Sequence, residues 1–190
     1  MTYVLLGIVI LITIANFTLL FRVRKNKRIA AQKYQELMTG LRDRTIKVMK
    51  KNSLHFDRTY PLVADNDEGF LFCLDTEHRM ASFTDQRKVQ LFPYSEIQSS
   101  TIEVEPSPDN PKFYDNVRLV IELAGKPQGI EIVLGHRRTR SASIMGRFVL
   151  DTARQMDKVL QEVIESNTQP QPSGESPAAL DTSYEDTDEE

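Results

Sequence analysis

Few side chains in this sequence are of the types that carry out reactions. Among 190 residues there is one Cys and there are three His. Cys73 has no second Cys to pair with, which excludes a disulfide framework and any CxxC knuckle. It stands between Phe72 and Leu74 in an apolar run, the setting of a buried thiol and not of an exposed nucleophile with a base beside it. His55, His78 and His136 form no HxH or HxxxH pair, so they offer no dedicated zinc site. His78 sits between Glu77 and Arg79 in a polar turn. Asp65, Asp67 and Glu68 lack the ligand spacing and closing Glu of a calcium loop and read as a solvated turn. No GxSxG, P-loop, GxGxxG or HExxH occurs. The chain is therefore expected to hold no metal and no cofactor, and to catalyse no reaction.

One constellation remains. His136, Arg137, Arg138 and Arg140 lead into a helix that Ser141 or Ser143 would cap. Free backbone N–H groups and the helix dipole favour an anion at such an end, and guanidinium forks bind carboxylate or phosphate in a bidentate manner. The ligand would be a phosphate, an anionic lipid headgroup or the chain's own acidic tail. The competing reading is a solvated loop that offsets neighbouring acidic strands.

The elements that would position this loop are sorted by charge. Residues 22–52 carry a net +9, residues 53–166 a net −5 and residues 167–190 a net −7, within a total of −3. Ahead of them, Val4 to Phe21 is 18 residues without a charge. As a helix it would span about 27 Å at 1.5 Å per residue, close to the thickness of a bilayer core. No basic stretch precedes it and no A-x-A-like site follows it, so a retained transmembrane helix fits better than a cleaved signal. Arg22, Arg24, Lys25, Lys27 and Arg28 follow directly and should stay cytoplasmic. That places the N-terminus outside and the rest of the chain on the inner face of the cell's inner (plasma) membrane. The same five charges can attract anionic headgroups.

From Ile29 to Asn52 there is no Pro and a single Gly, Gly40. Ala31, Tyr34, Met38, Leu41, Thr45 and Val48 recur at spacings of three and four, a helical stripe. This juxtamembrane helix could pack on its own domain, pair with a second copy, or lie on the inner leaflet.

Past it the period changes. Tyr60–Ala64, Gly69–Asp75, Arg79–Phe83, Lys88–Phe92, Ile97–Glu105, Val117–Leu123 and Ile130–Leu134 read as short strands. Pro106, Pro108 and Pro111 mark a loop that cannot pair in a sheet. Met145, Val149, Thr152, Met156, Val159, Leu160 and Val163 then predict one amphipathic helix. Strands followed by a helix argue against a parallel βαβ sheet.

The stretches GFLFCLDTEHRMASF, LFPYSEIQSSTIEVE, VRLVIEL and IEIVLG, followed by that helix, resemble bacterial pleckstrin-homology-like (PH-like) domains of membrane and stress proteins. The resemblance covers about Phe56 to Ser166. It implies a strongly bent antiparallel sheet or barrel whose open end is plugged by the last helix. Phosphoinositide-binding members of the wider fold carry a Lys/Arg cluster in the first hairpin, and this chain has none there.

The expected fold class is thus α+β: a transmembrane helix with its basic flank (1–28), a juxtamembrane helix (29–52), a PH-like domain (53–166) and a disordered acidic tail (167–190). The function that fits is a membrane-anchored, cytoplasm-facing scaffold that binds a protein partner or assembles with copies of itself, in part through the juxtamembrane helix. The alternative is a sensor of anionic lipid or phosphate using His136, Arg137, Arg138 and Arg140. Nucleic acid is not an expected partner, since the body is acidic and the basic neck belongs at a membrane.

Overall fold

The computed structural model describes residues 2–126, 129–168 and 183–185; for residues 2–12, 14, 15, 168 and 183–185 the description covers the backbone only. The chain divides into two compact units, Met1–Gly40 and Leu41–Glu190. A single helix, α1 (Thr2–Lys51), runs unbroken for 50 residues. The boundary expected at residues 28 and 29 is therefore not a break in secondary structure. No Pro interrupts the run, and each of its two glycines, Gly7 and Gly40, costs a helix only about 1 kcal/mol. Among the described residues no helix is long and apolar enough to cross a membrane. The structure thus lends no support to the membrane span expected over residues 4–21, most of whose side chains fall outside the described residues.

The second unit begins inside α1, at Leu41. It is α+β, with antiparallel strands in two sheets and no closed barrel among the described residues. The first sheet runs β1 (Arg58–Val63), β2 (Gly69–Asp75), β3 (Met80–Thr84) and β4 (Lys88–Pro93) as a meander. A 3-10 turn, Tyr94–Glu96, leads to the second sheet: β5 (Ile97–Pro106), β6 (Phe113–Leu123) and β7 (Ile130–Gly135). A two-residue strand, β8 (Thr139–Arg140), adds to β6. Helix α2 (Ile144–Thr168) follows. The seven longer strands fall where alternation and turn residues place them, except that β6 starts four residues earlier, at Phe113, and Pro106, expected in a non-pairing loop, ends β5 opposite Tyr114.

The tail departs from expectation. Ser183–Glu185 forms β9, which pairs antiparallel with β4 and extends the first sheet to five strands. Those three residues are ordered as a strand and not disordered; residues 169–182 and 186–190 lie outside the described residues.

The two sheets face each other across the main core. Phe72, Leu74, Phe83 and Phe92 come from one, and Leu119, Ile121, Ile132 and Leu134 from the other. Val149, Ala153, Met156, Leu160 and Val163 of α2 complete it. Met145, expected on that stripe, is 51% exposed and stays outside. The first sheet is also covered from behind: Met80, Val89 and Leu91 pack with Val48 of α1 and with Leu54. Thr45 Oγ1 lies 2.7 Å from Thr84 Oγ1 and donates back to the Leu41 carbonyl at 2.9 Å. One hydroxyl can do both only if Thr84 donates to it. Of the helical stripe, Leu41, Thr45 and Val48 are buried while Ala31 and Tyr34 are exposed, so its last turns pack on their own domain.

A methyl group tests two of these helices in opposite directions. At Gly146 a Cβ would lie 2.2 Å from the Arg140 carbonyl oxygen, whereas at Gly40 it would meet nothing within 4 Å. Gly40→Ala should stabilise α1 by about 1 kcal/mol. Gly146→Ala should cost about 1–3 kcal/mol by forcing α2 away from the preceding loop. Thermal melts of the full chain followed by circular dichroism would show the two changes moving in opposite directions.

Candidate functional site

The basic loop between β7 and α2 is held from beneath by a carboxylate. Asp65, in the turn after β1, accepts from the backbone N–H of His136 at 2.8 Å and of Arg137 at 3.1 Å. Its side chain is 3% exposed. The His136 Nδ1 lies 3.3 Å from the same carboxylate, and its Nε2 lies 3.9 Å from Glu68 and 3.5 Å from the Asn66 amide. The backbone N–H of Asp65 in turn donates to the Leu134 carbonyl at 3.0 Å, joining the two sheets at this corner. The acidic turn and the basic loop, far apart in the chain, are thus one structure.

The loop's cations do not converge. Arg138 bonds Asp109 through Nη1 at 3.2 Å, and its guanidinium carbon stands 5.3 Å from the Phe113 ring centroid. It is spent on the Pro-rich loop and on β6. Arg137 and Arg140 remain exposed. Thr139 and Arg140 enter the sheet opposite Tyr114 and Phe113. Beneath them burial pushes the Tyr114 hydroxyl up from its usual range, with the Thr139 hydroxyl opposing and the Asp65 charge adding to the shift. Ser143, not Ser141, caps α2: its Oγ accepts from the Gly146 N–H at 3.0 Å and donates to the Arg140 carbonyl at 2.7 Å. Of the four residues predicted as an anion site, His136 and Arg138 serve the loop's own architecture, and Arg137 and Arg140 project from it. Arg22, Arg24, Lys25, Lys27 and Arg28, the predicted membrane flank, are all exposed on α1.

At the opposite end of the strands lies a second cluster. Asp75, predicted only as the start of a polar turn, is fully buried. It accepts from the His55 N–H at 2.6 Å, from the His78 N–H at 2.8 Å and from His78 Nδ1 at 2.8 Å. Burial pushes its carboxyl upward, but the bonds from His78 and His55 outweigh that and leave it below the usual range. Next to it Asp57 takes both the N–H and the hydroxyl of Thr76 at 2.9 Å, and chiefly the N–H bond lowers its carboxyl too. Arg79, at φ +53°, donates to the Ser166 carbonyl at 2.9 Å and to Asn167 Oδ1 at 2.8 Å, tying the end of α2 to this turn. Cys73 is buried as expected, and burial pushes its thiol up, which disfavours the thiolate. Among the described residues no three His, Cys, Asp or Glu side chains are grouped to hold a metal ion.

Two outcomes follow from these carboxylates. Because the folded values of Asp75 and Asp57 lie below their unfolded ones, their contribution is full above the unfolded value near 3.9. It is lost as pH falls through the depressed folded values. Asp75→Ala should cost about 1–3 kcal/mol at pH 7 and flatten the acid side of the stability–pH curve measured by urea titration. Asp65→Ala should leave the sheets intact but raise amide exchange at His136 and Arg137, read by hydrogen–deuterium exchange. Compared with models of known families, with characterised proteins and with solved structures, the chain matches none of them.

Proposed function

We propose that the chain is a membrane-anchored, cytoplasm-facing binding module of PH-like design that holds an extended segment of a protein partner or of another copy. The anchor is supported by the uncharged run before Arg22 and by α1 itself. Phe17, Leu19, Leu20 and Phe21 are 59–70% exposed on different sides of that helix. An α-helix that is apolar all round needs an apolar environment. The five exposed cations that follow set the orientation. The PH-like reading is supported by seven meandering strands followed by one helix laid across them.

The binding half is carried by one observation: the outer edge of β4 accepts a fifth strand. Ser183–Glu185 pairs there with Lys88 opposite Glu185 and Gln90 opposite Ser183. An exposed strand edge offers unpaired N–H and C=O groups to any extended peptide, and neighbouring charge selects which one. Opposite charges in register across strands favour the pairing. Lys88 on β4 and Arg87 just before it are exposed and make this an edge for acidic segments.

The test uses the tail as a peptide. Truncation after Leu180 should open the edge, and the labelled peptide DTSYEDTDEE should then bind the truncated chain. Binding to the full chain should be at least roughly tenfold weaker, because a tethered occupant competes at an effective concentration on the order of millimolar. Lys88→Glu in the truncated chain should weaken the complex. Fluorescence anisotropy reads all three, and equal or absent binding by both chains would refute the edge as the docking site.

A further inference from the structure

The first turn of α2 is built unlike the rest of that helix. Ile144 is 83% exposed, Met145 51% and Phe148 54%. From Val149 onward the apolar stripe is buried. Ile144 and Phe148 are four residues apart and Met145 and Phe148 three, so the three stand together on one side of the turn. Exposed apolar clusters of this kind mark contact surfaces.

Cations flank the cluster. Arg147 lies within the turn, and Arg140 is fixed against it, since the Arg140 carbonyl accepts from the Ser143 N–H at 2.9 Å and closes on Gly146. Arg137, held through its backbone by Asp65, stands further back on the loop that leads into the turn, and all three are exposed. Asp109 pairs with Arg138 and Asp151 with Arg154, each at 3.2 Å, while Asp65 and Glu68 stand by His136 at 3.3 and 3.9 Å. The turn is therefore apolar at its tip, with Arg140 and Arg147 beside it.

We infer that this turn docks into an anionic bilayer, with Ile144, Met145 and Phe148 in the headgroup–acyl boundary and Arg137, Arg140 and Arg147 on lipid phosphates. The inference rests on the membrane reading above. The charge fits a continuous negative surface, and long Arg stems can lie along apolar material while their heads stay in the polar layer. A soluble phosphate would account for the arginines but would leave the three apolar residues without a role.

The chain has no Trp, so a single introduced indole reports its own depth. Phe148→Trp in the full chain, reconstituted into vesicles containing phosphatidylserine and brominated lipid, should shift its emission to the blue and be quenched. Glu77→Trp is the control. It lies in the turn that Arg79 ties to Ser166, and 18 residues of helix, about 27 Å, separate Ser166 from Phe148. It should show neither effect. Phosphatidylcholine vesicles, or reversal of Arg137, Arg140 and Arg147 to Glu, should abolish the Phe148→Trp response. Ile144→Trp repeats the measurement should Phe148→Trp fail to fold. A response equal to that of Glu77→Trp, with the chain still in the vesicle fraction, would overturn the inference. So would solvent-like emission restored by millimolar inorganic phosphate. Recovery of the chain outside the vesicles would instead overturn the membrane reading, and the docking inference with it.

Discussion

The central strands of the first sheet, β2 and β3, are buried on both faces, and the rest of the module is arranged around that constraint. Leu71, Phe72, Cys73 and Leu74 are consecutive and all at most 2% exposed. Alternate side chains on a strand point to opposite faces, so four in a row can be buried only if both faces are covered. Phe72 and Leu74 enter the core shared with the second sheet and α2, and Met80, Val89 and Leu91 of the neighbouring strands enter the cluster under α1. The last turns of α1 are therefore part of the domain. Without them the backs of β2, β3 and β4 would meet water.

Two buried carboxylates organise the two ends of the strands. Asp65 and Asp75 each collect backbone N–H groups that no strand partner satisfies, and each adds a histidine ring. At Asp75 the N–H bonds and the His78 ring hold the carboxyl below its usual range despite its burial. The same device recurs in weaker form at Asp85, which accepts from Arg87 and Lys88, and at Asn110, which accepts from Lys112. Charged residues that look like possible ligands in the sequence are here the fasteners of turns.

That explains what could and could not be read from the residues. The strands from β1 to β7 were legible because Gly, Pro and Asp mark their ends and because Ile97–Glu105 and Val117–Leu123 alternate. The double burial of β2 was not, since an unbroken apolar run looks the same in a helix core or a strand. The burial of Asp75 at the end of its strand was not legible, because one of its donors, His55, lies 20 residues away in the chain. The loop 136–140 was legible as a cationic stretch, but its division between structural and projecting residues depends on Asp65 and Asp109, which are remote in sequence. β8 and β9 are too short to leave any periodicity. Met145 fits the spacing of the α2 stripe yet falls one turn before the sheet begins to cover it.

The fifth strand of the first sheet has a consequence for how crowded molecules behave. Open sheet borders are templates on which like chains stack into fibrils, and proteins usually shield them with charge, kinks or short overlays. Here the overlay is supplied by a segment rich in aspartate and glutamate. That border in one copy then carries acidic charge that repels the same border in another.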